Sequence, residues 1–332
     1  MADKRKVGPF RVNPIWLGCM SLSHAYGTPP DPADSARLLN EALDLGYDLL
    51  DTAAIYGAGA NERLLGEAIG HRRGDYVLAS KCGISGASGQ PVLDGRPETL
   101  HRTLDEALLR LRTDVIDLYY LHRWDKKVPI EESVGALGDM VKAGKVRAIG
   151  LSEISAATLR KAHEVHPIAA VQNEYSPWSR NVELGVLAAT GALDAALIAF
   201  APTARGFLAG RIHSTADLEE GDLRRSMPRF QDENLRHNLA LYERFGALAR
   251  EAGCTPAQLS LVWLLSRGDQ VIPIPGTTSP LHLEENFAAA TLTVSPELLG
   301  EIDVLLEPGA IAGARYPAST LAEIDTEEFQ GP

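Results

Sequence analysis

The amino-acid sequence predicts an α/β fold in which eight parallel strands close into a (β/α)8 barrel, with a long loop after strand 7 and a C-terminal tail. Three observations carry this expectation. Short apolar runs alternate with amphipathic segments along most of the 332 residues. The apolar runs are near-continuous, as in strands buried on both faces. Eight of them can be counted, nearly all followed by a helix signal. The competing architecture, an open doubly wound sheet, predicts a glycine-rich fingerprint after the first strand. None is there, and Gly57-Ala58-Gly59 follows the second strand and lacks the third glycine.

The first strand candidate is Ile15-Trp16-Leu17-Gly18. Asp34-Ser35 opens a helix whose residues Leu38, Leu39, Ala42 and Leu45 share one face, and Gly46 sits where a left-handed cap belongs. A strand over Tyr47 to Leu50 ends at Asp51. Leu64, Leu65, Ala68 and Ile69 form a second helix stopped by Gly70, and Tyr76 to Ser80 form a strand ending at Lys81. Pro97 opens a third helix, where its missing N–H costs little. The strand Val115 to Leu121 ends at His122. A helix over Glu131 to Ala143 stops at Gly144, and Val146 to Leu151 ends at Ser152-Glu153. Ser155 caps a short helix. Ile168 to Val171 ends at Gln172-Asn173, Ala195 to Phe200 at Ala201-Pro202, and Val271 to Ile274 at Pro275-Gly276. The longest interruption, about Arg205 to Glu233, is read as a lid. The tail from about Gly309 to Pro332 either folds over the barrel mouth or is disordered. All of residues 1–332 are expected to form one domain.

Composition narrows the function. The net charge of −12 argues against general nucleic-acid binding, and no apolar run is long enough to span a bilayer. The basic start MADKRKVGPF has no apolar stretch behind it, so a secretory signal is not expected. Cys19, Cys82 and Cys254 have no metal-like spacing and read as free thiols of a cytoplasmic protein. His163-Glu164-Val165-His166 falls at a helix end entering a strand, one residue short of the two-turn zinc spacing, and reads as a solvated helix end.

In a barrel of this kind, chemistry sits at the C-terminal ends of the strands. Asp51, Lys81, His122, Ser152, Gln172 and Phe200 would share that face. A lysine held charged by Asp51 would lower the pKa of a nearby phenol, and Tyr56 lies five residues past Asp51. Such a phenol suits a general acid for a carbonyl oxygen, with His122 orienting that oxygen. Separately, Pro275-Gly276-Thr277-Thr278-Ser279 runs into a helix containing Glu284, Glu285 and Asn286. A helix start with hydroxyls beside it binds anions, and an adenine dinucleotide would satisfy it while Ser279 caps the helix.

These residues stand in an ordered set of motifs: LDTAAIYGAGANERLLGEAI (Leu50 to Ile69), ASKCG (Ala79 to Gly83), IDLYYLHRWD (Ile116 to Asp125), GKVRAIGLSE (Gly144 to Glu153), AVQNEYSPW (Ala170 to Trp178) and IPGTTSPLHLEENFAA (Ile274 to Ala289). Over nearly its whole length the chain resembles the aldo-keto reductase superfamily, NAD(P)H-dependent carbonyl reductases on a (β/α)8 barrel, in its bacterial and plant branch. The resemblance implies a catalytic tetrad of Asp51, Tyr56, Lys81 and His122. It implies that Phe200 stacks on the nicotinamide and that Ser152, Glu153 and Gln172 hold its carboxamide. Gly18, Cys19, Met20 and Asp51 join the cofactor set. Ala201, Pro202, Thr203, Arg205, Gly206, Leu208, Gly210 and Arg211 would hold the pyrophosphate side. Pro275, Gly276, Thr277, Thr278, Ser279, His282, Glu285 and Asn286 would hold the adenosine side.

Three departures stand out. Phe200 replaces the commoner tyrosine. APTARG (Ala201 to Gly206) replaces the usual SPLGRG. Thr278 and His282 stand where NADPH-preferring relatives commonly place Arg or Lys, which match a 2′-phosphate better. The implied cofactor is therefore NADPH, with NADH tolerated more than in typical relatives. Met20, His24, Tyr26, Ile55, Tyr56, His122, Trp124 and Trp178 are the expected substrate pocket, an aromatic and apolar wall for a small carbonyl compound. A cofactor-binding regulatory subunit with little turnover is the alternative function, and a metal-dependent hydrolase is disfavoured for want of clustered ligands. The expected partners are the small-molecule substrate alone, with no nucleic acid or membrane, in a monomer or homo-oligomer.

Overall fold

The computed structural model describes residues 3–23, 25–85 and 92–329. Its centre is an eight-stranded parallel sheet: β1 Leu17–Gly18, β2 Leu49–Asp51, β3 Val77–Cys82, β4 Ile116–Leu121, β5 Val146–Ser152, β6 Ile168–Glu174, β7 Ala196–Phe200 and β8 Val271–Pro273. Each strand pairs with the next in chain order, and all eight are those expected from the apolar runs. The sheet curls until its ends meet. Trp16 N–H donates to Pro273 O at 3.1 Å, Gly18 N–H donates to Pro275 O at 3.1 Å, and Gly18 bridges Gly276 in parallel. A Cβ on Gly276 would come within 2.9 Å of the Gly18 carbonyl, so this seam requires glycine's small size.

The helices α1 Pro32–Leu45, α2 Ala60–Ile69, α3 Pro97–Leu111, α4 Ile130–Lys142, α5 Ala156–Val165 and α6 Val186–Ala192 return the chain between strands. Capping follows local chemistry in most cases. Gly46 ends α1 at φ 108°, Pro97 is the first residue of α3, and the Ser155 hydroxyl accepts from Thr158 N–H. α2 stops at Gly70 as expected, but with φ −57° there the chain runs on into a 3₁₀ turn over Gly70–Asp75. After β7 no α-helix or strand forms until α7 Asp232–Glu251, followed by α8 Pro256–Leu265, α9 Pro280–Ala288, α10 Pro296–Leu305 and α11 Ala318–Glu323.

Side chains inside the curl form layers. Leu49, Ala79, Tyr120, Ala170, Ile198 and Ile272 are fully buried there. An N-terminal hairpin, Arg5–Val7 paired with Phe10–Val12, inserts Val7 and Val12 into the same cluster and plugs the N-terminal end. Tyr120 fits because its register partner is Gly150. A Cβ at Gly150 would lie 2.5 Å from the Tyr120 ring and 2.8 Å from the Ala170 carbonyl oxygen. Gly150→Ala should therefore lower stability by about 1–3 kcal/mol through overpacking. Urea unfolding of the two proteins checks this, and an unchanged midpoint would show that the layer yields.

Candidate active site

Asp51 ends β2, Lys81 lies near the end of β3, and His122 follows β4. Parallel register brings them to one rim. The Lys81 side chain has no exposure and Asp51 has 2%. Lys81 Nζ donates to Asp51 Oδ1, to the Thr52 carbonyl at 2.9 Å and to Tyr56 Oη at 3.2 Å. The other Asp51 oxygen accepts from Gln172 Nε2 at 2.9 Å. Tyr56 opens a turn in which Gly57, Ala58 and Gly59 all have positive φ, which folds the phenol back over Lys81. The His122 ring meets the Tyr56 ring edge-on, with centroids 5.9 Å apart.

Electrostatics corrects one expectation. Burial pushes the Tyr56 phenol above its ordinary range, and the pull of Lys81 in the other direction does not cancel this. The phenol is thus firmly protonated, not acidified. Burial also opposes the charge on Lys81, but Asp51 and Tyr56 together outweigh it and raise the ammonium pKa. Burial, then Arg123 and Lys81, hold the His122 imidazole well below its usual value, so it is neutral at neutral pH.

One cavity of about 730 Å³ runs from these groups to the start of α9. Asp51, Tyr56, His122, Ser152, Gln172 and Phe200 line it, as do Gly18, Met20 and Tyr26. Around the cofactor segments, Ala201, Pro202, Thr203, Arg205, Gly206, Arg211, Pro275, Gly276, Thr277, Thr278, Ser279, His282, Glu285 and Asn286 line it too. Several expected residues do not. Cys19 and Leu208 are core side chains, and Gly210 packs against Tyr242. Glu153 is turned away, with its carboxylate accepting from Glu174 N–H at 2.9 Å and pairing with Arg315 at 3.4 Å. Ile55 stays outside the lining. Trp178 is core, packed on Phe207 and Phe230, and Trp124 spends its indole N–H on the Val128 carbonyl at 2.8 Å. Large indoles on loops pack those loops first. His24 lies outside the described residues.

Side chains missed by the sequence reading join Met20, Tyr26, Tyr56 and His122 in the lining. They include Arg123, Asp217, Glu219, Arg224 and, from the tail, Tyr316. Arg205 is bound to Glu174 at 3.1 Å and to the Tyr316 hydroxyl at 2.6 Å. Glu174 is buried, yet Arg205, Arg315 and Arg229 together draw its carboxyl down to about 2 against that burial. The tail continues across the rim, where Asp325 N–H donates to the Glu153 carbonyl at 3.0 Å. The segment after β7 is tied down as well: Leu223 N–H donates to Ala25 O at 3.0 Å, and Glu219 accepts from Thr28 N–H at 2.8 Å. Within it Ala201, Ala204 and Arg205 hold left-handed φ values of 49°, 53° and 57°. Ala204 stands where the resemblance expects glycine, so this loop keeps its turn at a steric cost.

At the far end, Thr277 Oγ1 accepts from Ser279 N–H at 3.0 Å, and the Ser279 hydroxyl makes no capping bond. Capping by the Ser279 side chain is thus not found, and Ser279 lines the cavity beside the α9 start. Arg211 Nη2 contacts His282 Nε2. The gap left by Thr278 and His282 therefore has a guanidinium beside it, supplied from another loop. Glu285 accepts from the Thr255 hydroxyl.

Comparison with known proteins agrees with this geometry. A model of the aldo/keto reductase family matches residues 14–307. The chain belongs to the aldo/keto reductase family. It is 42% identical over 327 residues to the aldo-keto reductase yakc [NADP(+)] of Schizosaccharomyces pombe, covering 96% of each chain. It is 40% identical over 310 residues to a probable aldo-keto reductase 1 of Glycine max, covering 92% of this chain and 89% of that one. The glycerol dehydrogenase AKR11B4 from Gluconobacter oxydans superimposes with a TM-score of 0.83 at 27% identity, covering 92% of this reductase and 94% of that chain. No helix among the described residues is long and apolar enough to cross a membrane.

The neutral state of His122 has a measurable consequence. Unfolded, this histidine takes up a proton near pH 6.5; folded, it does not until far lower pH. Between those values the unfolded chain binds more protons, so stability rises with pH there and is complete above about 6.5. His122→Gln should flatten the fall in unfolding free energy as pH drops below about 6.5. Denaturant titrations across that window give the slopes, and equal slopes would mean that His122 is not held neutral.

Proposed function

We propose that this reductase converts an aldehyde or ketone to the alcohol with NADPH, on a single-domain (β/α)8 barrel. The carrying observation is the buried Lys81 ammonium, held by Asp51 and set 3.2 Å from the Tyr56 hydroxyl beside a neutral His122. The hydrogen bonds between the first and last strands support barrel closure. The three free thiols, two of them buried, support a reducing compartment such as the cytoplasm.

The cavity suits the cofactor. It combines a helix start, the Thr277 and Ser279 hydroxyls and the Arg211–His282 pair at one end with the Phe200 ring face at the other. Gln172 commits its amide N–H to Asp51, leaving its carbonyl oxygen for the nicotinamide amide, with Ser152 as the partner hydroxyl. When bound, the reduced nicotinamide supplies a hydride to the carbonyl carbon. Tyr56 gives its proton to the carbonyl oxygen. Its raised pKa keeps that proton in place until charge develops on the oxygen. Lys81 then faces the phenolate left behind, and Asp51 keeps Lys81 charged. His122, being neutral, donates a hydrogen bond that orients the same oxygen. The tethered segment 205–233 and the tail cover the cleft and keep bulk water from the reacting atoms.

NADPH consumption with 4-nitrobenzaldehyde tests the reading. Tyr56→Phe should lose nearly all turnover while still binding NADPH by fluorescence; a variant that keeps its activity removes Tyr56 as the acid. NADPH bound without turnover of any carbonyl would favour a regulatory subunit. NADPH should be preferred over NADH by less than about a thousandfold in kcat/KM, about 4 kcal/mol. Arg211→Ala should narrow that ratio further, and an unchanged ratio would place 2′-phosphate recognition elsewhere.

A further inference from the structure

Arg123 directly follows His122, is half-buried, and lines the same cavity. Its Nη1 donates to the His122 carbonyl at 2.6 Å and to Ser152 Oγ at 3.1 Å. Its Nε and Nη2 have no acceptor among the described residues, and no carboxylate there lies within 4.0 Å of it. Two other lining arginines are committed to carboxylates, and the third, Arg211, sits at the α9 end of the cavity. Arg205 pairs with Glu174, Arg224 lies against Asp222, and Arg211 rests on His282. A partly desolvated guanidinium with a free two-donor edge is a site for a planar anion.

Topology says which anion. β4 lies four strands from β8 in the eight-strand order, so Arg123 is on the opposite side of the rim from residues 275–286 and Arg211. The phosphates of a dinucleotide held there lie away from Arg123. Arg123 adjoins His122 in the chain and shares the cavity lining with Tyr56 and Tyr316, so the guanidinium lies beside the place the substrate carbonyl would take.

We propose that Arg123 is an anion subsite of the substrate pocket, and that the carbonyl compounds this reductase favours carry a carboxylate. The carboxylate takes the Nε and Nη2 edge while the carbonyl oxygen lies between Tyr56 and His122. Nη1, held by two acceptors, fixes the plane of the fork in advance. The proposal rests on the reductase reading above, and the carboxylate stays unchanged through the reaction.

The test compares 4-carboxybenzaldehyde with methyl 4-formylbenzoate, matched in shape near the carbonyl and differing in charge. With NADPH, the wild type should favour the carboxylate by about tenfold in kcat/KM, mainly through KM, and the preference should shrink as salt rises. Arg123→Gln should bring the ratio to about one, and Arg123→Lys should keep part of it, because a point charge remains without the fork. A wild-type ratio at or below one overturns the subsite, as does a ratio that survives Arg123→Gln. Reduction of neither aldehyde counts against the reductase reading instead. Calorimetric binding of 4-(hydroxymethyl)benzoate and its methyl ester to the NADP⁺-loaded protein then decides the subsite separately. Tighter binding of the anion that is lost in Arg123→Gln supports it; equal binding of the two overturns it.

Discussion

A lysine ammonium without water around it must find its counter-charge inside the protein. Lys81 does so in Asp51, and much of the rim is arranged around that pair. Isolated burial of either ion would cost several kcal/mol. The pair is tolerable because each remaining valence is filled: the Thr52 carbonyl and the Tyr56 hydroxyl on the lysine, the Gln172 amide on the aspartate. The partners come from β2, the turn that follows it, β3 and β6. A shift of any one would leave a buried charge underbonded, so the pair also fixes how those elements meet.

The same logic recurs one step outward. Glu153, Glu174, Arg205 and Arg315 come from two strand ends, the segment after β7 and the tail, and all are nearly buried. Their pairing ties loops with little secondary structure to the strand ends. Tyr316 extends the network to the cavity wall through Arg205. The left-handed residues Glu153, Ala201, Ala204 and Arg205 lie in these connections, where ionic ties compensate for backbone that only glycine adopts freely.

Much of this was legible in the sequence. The strands announced themselves by continuous apolar runs, and their last residues gave the site because a parallel sheet delivers every strand end to one rim. What stayed hidden lacks periodicity. Arg205 meets Tyr316 across 111 positions, and Arg315 meets Glu153 across 162; no local pattern encodes such contacts. The two tryptophans misled because an indole reads the same whether it faces a ligand or a loop. The direction of the Tyr56 shift was missed because sequence shows the lysine neighbour but not the burial opposing it. The N-terminal hairpin did carry a signal, the turn pair Gly8-Pro9 between Val7 and the alternating Phe10-Arg11-Val12.

The seam between Gly18 and Gly276 has an effect beyond shaping the site. An open sheet of eight strands ends in two rows of unsatisfied backbone groups, each able to recruit a strand from another molecule. Here those rows satisfy one another. The hairpin at the N-terminal end has strands only three residues long, too short to template a long pairing. A concentrated solution of the folded chain thus offers few templates for fibrous association. Separating β1 from β8 would uncover both edges at once.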